Sequence, residues 1–122
     1  NEDMEDVPAA APQKPEISFD DFTRKDLRTG TILEAEKVAK TKKLIKMQVD
    51  LGFEKRTIVS GIAEYFKAED LPGKKVSVLA NLAPRKIKGI ESQGMILLSE
   101  NPDGSLHFVE PGQAAVNGSE IN

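Results

Sequence analysis

Cysteine and tryptophan are absent from the 122 residues, and histidine and tyrosine occur once each. Without a thiol there is no disulfide, no thiolate metal site and no cysteine nucleophile, a pattern that suits a reducing compartment. The lone His107 has no partner pattern around it, and no nucleophile motif or metal-ligand spacing occurs elsewhere, so the chain offers catalysis no recognisable geometry. Long apolar runs are also missing. None approaches the roughly 18 residues of a membrane span, and the first residues are acidic where a signal peptide would be basic. We therefore expect a cytoplasmic, membrane-free domain with no cofactor of its own and no enzymatic activity by itself.

What is present is one domain's worth of residues with an uneven charge distribution. The net charge of -3 hides a basic body between acidic ends: residues 1 to 16 sum to -4, residues 17 to 100 to +4 and residues 101 to 122 to -3. The first segment, NEDMEDVPAAAPQKPE, holds three prolines and hardly any large apolar side chain, too few to offset the entropy of ordering it. We read residues 1 to 16 as a flexible acidic linker and 17 to 122 as the folded domain. The start at Asn1, without an initiator methionine, suggests a piece of a longer polypeptide, although a tag would look similar.

After the linker, Ser18-Phe19-Asp20-Asp21 has capping-box spacing and predicts one helical turn to about Arg24. The remainder reads as strand. Thr29 to Val38 has mixed alternation, whereas Leu44 to Leu51 alternates cleanly, with Ile45, Met47, Val49 and Leu51 on one face. Gly52-Phe53-Glu54 turns the chain into a third strand, Arg56 to Ser60. A short helix is predicted from Ile62 to about Phe66 and a second turn at Ala68 to Leu71, before Pro72-Gly73. A fourth strand runs from Val76 to Leu82, a basic loop from Ala83 to Ser92, a fifth strand from Gln93 to Ser99 and a short one from Leu106 to Val109.

Five strands with a short helix between the third and fourth, a helical turn before them and an extension after them, is the element order of an all-β OB-fold barrel. A small SH3-like barrel or a split sheet fits the strands alone. The distribution of charge favours the OB-fold, which binds polyanions on strands two and three between the loops joining strands one to two and four to five. Those loops hold Lys40, Lys42 and Lys43, and Arg85, Lys86 and Lys88, with Lys46, Lys55 and Arg56 on the intervening hairpin. Such a groove would neutralise nucleic-acid phosphates and read little sequence, although a run of charge is usually a solvated face.

Aromatic residues narrow the ligand. Single-strand binders stack bases on exposed rings, yet of five Phe and one Tyr only Phe53 lies near the expected groove. Phe19, Phe22, Tyr65 and Phe66 read as anchors of the core or helix. A folded RNA, read through shape and backbone, suits this composition better than an unstructured strand.

The stretches DLRTGTILEAEKV, KLIKMQVDLG, RTIVSGIAEYF and EDLPGKKVSVLANLAPRKIKGIESQGMILLSE carry a family likeness. They resemble the tRNA-binding domain found at the C-terminus of bacterial methionyl-tRNA synthetases and in free-standing tRNA-binding proteins. The likeness runs from about Ile17 to Glu100, with VSGIA, ANLAPRK and ESQGMIL together its most specific strings. It implies an OB-fold homodimer that binds tRNA with little regard to sequence and assists an upstream synthetase domain of the same chain, a methionine-tRNA ligase using ATP and Mg.

Carried over by position, the resemblance implies RNA contacts at Asn81, Arg85 and Lys86, at Ser92, Gln93 and Met95, and at Arg56 and Ser60 on the neighbouring strand. Lys43-Leu44 matches the usual opening of the second strand, and Lys42 stands where many members have Asp. Duller roles compete: Asn81, Ser60 and Ser92 as satisfiers of turn backbone, Met95 as core filler, Glu34 and Glu36 as cross-strand partners of bases. A rival from another class is an OB-like secretion chaperone, a dimer whose working surface is apolar. The apolar side chains after Glu100, among them Leu106, Phe108, Val109 and Val116, either cover the barrel or meet a second copy.

Overall fold

The computed structural model describes residues 10–122. The linker reading falls partly outside them, and residues 10 to 17 are exposed and without regular structure. The first element, α1 (Phe19–Thr23), is capped as predicted: the Asp21 N–H donates to Ser18 Oγ at 3.1 Å, and the Ser18 N–H donates to the Asp21 carboxylate at 3.4 Å.

Five antiparallel strands make the main sheet, in the order β3-β2-β1-β4-β7. These are β1 (Leu27–Lys37), β2 (Ile45–Asp50), β3 (Lys55–Ser60), β4 (Lys75–Leu79) and, later in the chain, β7 (Met95–Ile96). The eleven-residue β1 serves two partners: residues 27 to 31 pair with β4 and residues 31 to 37 with β2, with an irregularity between Ile32 and Glu34 that bends it. The far edge of β3 meets β6 (Ile90–Ser92) and β7, which curls the sheet into a nearly closed barrel.

The alternation of β2 determines the core. Ile45, Met47, Val49 and Leu51 are all buried, facing Ile32, Ile58, Val76 and Val78, each side chain contributing roughly 1.5–3 kcal/mol of transfer free energy. On the opposite face of β2, Lys46 and Gln48 stay partly accessible, and Gln48 Nε2 donates to Thr57 Oγ1 across the hairpin at 2.6 Å.

Four expectations change. The helix at 62–66 is a single turn in which the Tyr65 and Phe66 N–H groups both donate to the Ile62 carbonyl at 3.0 Å, followed by a 3-10 turn at Ala68–Asp70. So short a segment forms only one turn before Leu71 enters the core and Pro72 stops it. Strand β4 ends at Leu79: the Ala80 N–H still bonds the Asp26 carbonyl in register at 2.7 Å, but the Asp26 N–H turns from the ladder to Asn81 Oδ1 at 2.9 Å. The basic loop at 83–92 is a hairpin, β5 (Arg85–Ile87) with β6, closed at Lys88-Gly89. The expected fifth strand is broken at Leu97, so that β8 (Leu98–Glu100) pairs with β9 (Leu106–Phe108).

The aromatic anchors also divide. Phe66 stacks on Phe108 at 4.5 Å between centroids, whereas Phe19 is 77% exposed and Tyr65 49%. Beyond Phe108 the tail covers the barrel as a strap. It runs antiparallel along residues 27–31 of β1, on the edge β2 does not reach: Thr29 N–H to Ser119 O 2.9 Å, Gly118 N–H to Thr29 O 2.8 Å, Ile121 N–H to Leu27 O 2.8 Å. Thr31 Oγ1 adds a bond to the Asn117 side chain at 2.7 Å, while Val116 points outward, 72% exposed.

Candidate nucleic-acid interface

Strand register decides whether the two basic loops share one end of the barrel. Ser60, the last residue of β3, faces Ile45, the first of β2, so the β1–β2 loop holding Lys40, Lys42 and Lys43 lies beside the end of β3. Strand β6 passes β3 in the opposite direction: the Gln93 N–H donates to the Thr57 carbonyl at 2.8 Å, and the Val59 N–H to Ser92 Oγ at 3.0 Å. Going back along β6 from Ser92 therefore leads past Ser60, and the hairpin tip at Lys88-Gly89 lies at the same end as the β1–β2 loop. The β2–β3 turn at Gly52–Glu54 is at the other end.

The cations differ in what else holds them. Lys40, Lys42, Arg85, Lys86 and Lys88 are exposed or half-exposed and have no carboxylate partner among the described residues. Lys43 lies 3.8 Å from Glu64, and Lys46 lies 3.8 Å from Glu36, the cross-strand partner expected for that glutamate. Both pairs are solvated and worth at most about 1 kcal/mol. Arg56 is engaged far more firmly. Its guanidinium bonds Glu54 at 2.6 and 3.0 Å, donates to the Ala80 carbonyl and stacks over Phe53 at 5.9 Å, leaving the side chain 18% exposed. Its place is to tie β3 to the end of β4.

Arg28 mirrors it on the same ring, 5.4 Å from the Phe53 centroid. A 2.6 Å bond to Asp26 raises its pKa above the ordinary arginine value, against the smaller opposing effect of desolvation. Phe53 thus sits beside two guanidinium groups at the pole away from the basic loops.

Two polar residues of the specific strings, Asn81 and Ser92, are engaged by the fold. Asn81 Oδ1 accepts from the Asp26 N–H at 2.9 Å while its Nδ2 donates to the Arg24 carbonyl at 2.7 Å, fastening the segment after α1 to the end of β4. Ser92 is buried, and besides accepting from Val59 its hydroxyl donates to the Gly94 carbonyl at 3.3 Å. Gln93 is exposed, with Oε1 only 3.4 Å from the Thr57 N–H and its amide nitrogen without a partner among the described residues. Ser60 is half-buried at the strand end. Met95, carried over as an RNA contact with core filling as the duller alternative, is 44% exposed. With Val59, Leu82 and Arg85 it lines a small depression of about 60 Å³ between β3 and the hairpin.

Leu82, 38% exposed, and the hairpin fold itself escape a reading by charge. A signal was available: Ile58 and Val59 are adjacent in β3 and both buried, so this strand is covered on both faces, and the β5–β6 hairpin is the second cover. The covering makes Ser92 testable. Ser92→Ala leaves the buried Val59 N–H without its acceptor, a loss of about 1–3 kcal/mol. The melting temperature should fall by about 5–15 °C in a thermal scan.

The comparisons with known proteins agree with this geometry. The family described as "Putative tRNA binding domain" matches residues 27–120. A methionine--tRNA ligase of Christiangramia forsetii is 59% identical over 120 residues, covering 98% of this chain and 17% of the ligase. This chain therefore spans about one sixth of the curated relatives it matches. Among solved structures, a MetRS related protein from Pyrococcus horikoshii superposes with a TM-score of 0.85 at 40% identity, covering 88% of this chain and 99% of that one. The chaperone CsaA of Bacillus anthracis superposes at 0.80 with 26% identity, over 88% and 100%. An OB-type barrel with basic loops at one end, and a family match over nearly all of that barrel, place this chain in the tRNA-binding domain family.

Proposed function

We propose that this chain is the appended tRNA-binding domain of a methionine-tRNA ligase. It holds tRNA by its phosphate backbone, with little regard to sequence, and raises the concentration of tRNA at a catalytic domain elsewhere in the same polypeptide. The observation that carries this reading is the meeting, at one end of the barrel, of two loops whose cations lack carboxylate partners among the described residues, Lys43 apart. The identity to methionine--tRNA ligases supports that choice of parent. ATP and Mg chemistry belongs to that parent's catalytic domain, and the setting is the cytoplasm.

Association into a homodimer forms part of the reading. It is supported by Ile17 and Phe19, 57% and 77% exposed at the N-terminal turn, apolar surface that a second copy would cover. Phe19→Asp should then halve the molar mass in light scattering.

A titration with labelled tRNA and with single-stranded DNA of equal length, at two ionic strengths, tests the reading. Binding to tRNA should be tighter, fall steeply with salt and vary little among tRNA species. Deleting these residues from the full-length ligase should weaken tRNA binding about tenfold or more while methionine activation by ATP stays unchanged. Unchanged tRNA affinity in the truncated enzyme would turn attention to the apolar surface and a role like that of the chaperone relative.

A further inference from the structure

Two non-glycine residues among those described have backbone in the left-handed region, and both are lysines at the tips of the basic loops: Lys40 (φ 65) and Lys88 (φ 52). For L residues with a Cβ this region is sterically disfavoured; asparagine and glycine adopt it far more readily than lysine does. Lys88 and Gly89 (φ 80) are the two central residues of the β5–β6 turn. Two-residue hairpins of this kind need positive φ at both positions and favour Asn-Gly, so a lysine occupies the place suited to asparagine. Lys40 is the third residue of a turn closed by the Thr41 N–H on the Val38 carbonyl at 3.3 Å, a position that with positive φ usually takes glycine.

Both conformations are imposed by their surroundings. In the first loop, Thr41 Oγ1 bonds the Val38 carbonyl at 2.8 Å and Lys37 Nζ donates to the Thr41 carbonyl. In the second, the cross-strand pairs Arg85 with Ser92, Lys86 with Glu91 and Ile87 with Ile90, together with the Ser92 bond to β3, fix the turn. Strain maintained by its frame, at an exposed residue whose side chain the fold does not need, points to a use of that side chain.

We propose that Lys40 and Lys88 are a pair of tRNA phosphate contacts, projected from the same end of the barrel by left-handed backbone that weakens the fold. This rests on the tRNA-binding reading and adds to it that at two of its loop cations binding and stability pull in opposite directions.

The test uses Lys40→Asn, Lys88→Asn and the double variant, since asparagine relieves the backbone without the unfolded-state entropy of glycine. Lys86→Asn serves as a loop cation on ordinary strand backbone, and Lys14→Asn, in the exposed segment before α1, as a charge change outside both loops. Each left-handed variant should melt about 2 °C higher, the double about 4 °C higher. Each should also bind tRNA about 3- to 8-fold more weakly at 0.1 M salt, with the salt slope reduced by about 0.7–0.9. Lys86→Asn should lose affinity with no gain in melting temperature, and Lys14→Asn should do neither. Melting temperatures that stay level or fall would overturn the strain premise. Unchanged slopes in both left-handed variants, with normal binding by the wild type, would overturn the phosphate-binding role and leave the tRNA reading standing. A wild-type chain with no salt-dependent tRNA binding would remove both.

Discussion

Replacing Lys42, Lys43, Arg85 and Lys86 together by alanine should weaken tRNA binding about 100- to 1,000-fold at 0.1 M salt and leave the melting temperature within a few degrees of the wild type. Every phosphate that is no longer neutralised takes about 0.7–0.9 off the slope of log affinity against log salt, so the four substitutions flatten it by about 3. The effect should be the same for tRNAs of different sequence, because phosphate contacts position a nucleic acid without reading its bases. Stability is spared because these side chains are exposed and, among the described residues, only Lys43 has a carboxylate within 4 Å, at 3.8 Å. A filter-binding or anisotropy titration at three salt concentrations reads both numbers. Weakening confined to one tRNA species, or an unchanged slope, would contradict a backbone-reading groove. Lys46→Ala should weaken binding less than Lys42→Ala, Arg85→Ala or Lys86→Ala, since the charge removed already faces Glu36.

The locations of the cations were legible from the order of elements, because loops between strands are where an OB-fold exposes them. Which cations were already engaged was legible only in part. Glu54, the residue before β3, stands two from Arg56, so extended backbone turns both side chains to one face, and their ion pair could have been read from that spacing. The pairing of Lys46 with Glu36 needed the register of β1 against β2, which the bulge after Ile32 shifts, and the pairing of Lys43 with Glu64 needed the path of a turn. The β5–β6 hairpin stayed hidden for a different reason. Its strands have three residues each, its exposed positions are mostly basic, and its turn carries lysine where Asn-Gly would have announced it. By contrast β2, six residues alternating without a fault over a buried face, could be placed from periodicity alone.

At the opposite pole, Gly118→Ala should lower the melting temperature by about 10–20 °C while leaving tRNA affinity, measured at 10 °C, within about twofold of the wild type. Gly118 has φ +90, and a Cβ there would lie 2.6 Å from the Leu51 carbonyl oxygen, which belongs to rigid backbone and cannot yield cheaply. Left-handed strain and the clash together cost about 2–4 kcal/mol, and a domain of this size loses roughly 4–8 °C for each. The chain can escape only by lifting residues 117–121 from β1, which breaks the Gly118 N–H bond to Thr29 and the 3.0 Å bond from Arg28 Nη1 to the Gly118 carbonyl. Hydrogen exchange should then rise first at Thr29 and Ile121, whose amides bond across this seam, and the bared edge of β1 would favour aggregation on heating. Gly52 meets the same strap from the other side, against the Asn117 carbonyl, and its alanine variant should behave alike. Gly112, in the same tail but with open space around it, is the matched control, and Gly112→Ala should change neither readout. The strap and the basic loops lie at opposite ends of the β2–β3 hairpin, so a Gly118→Ala protein that folds but fails to bind tRNA would show that the two poles are mechanically coupled, against the separation of roles that the strand register implies.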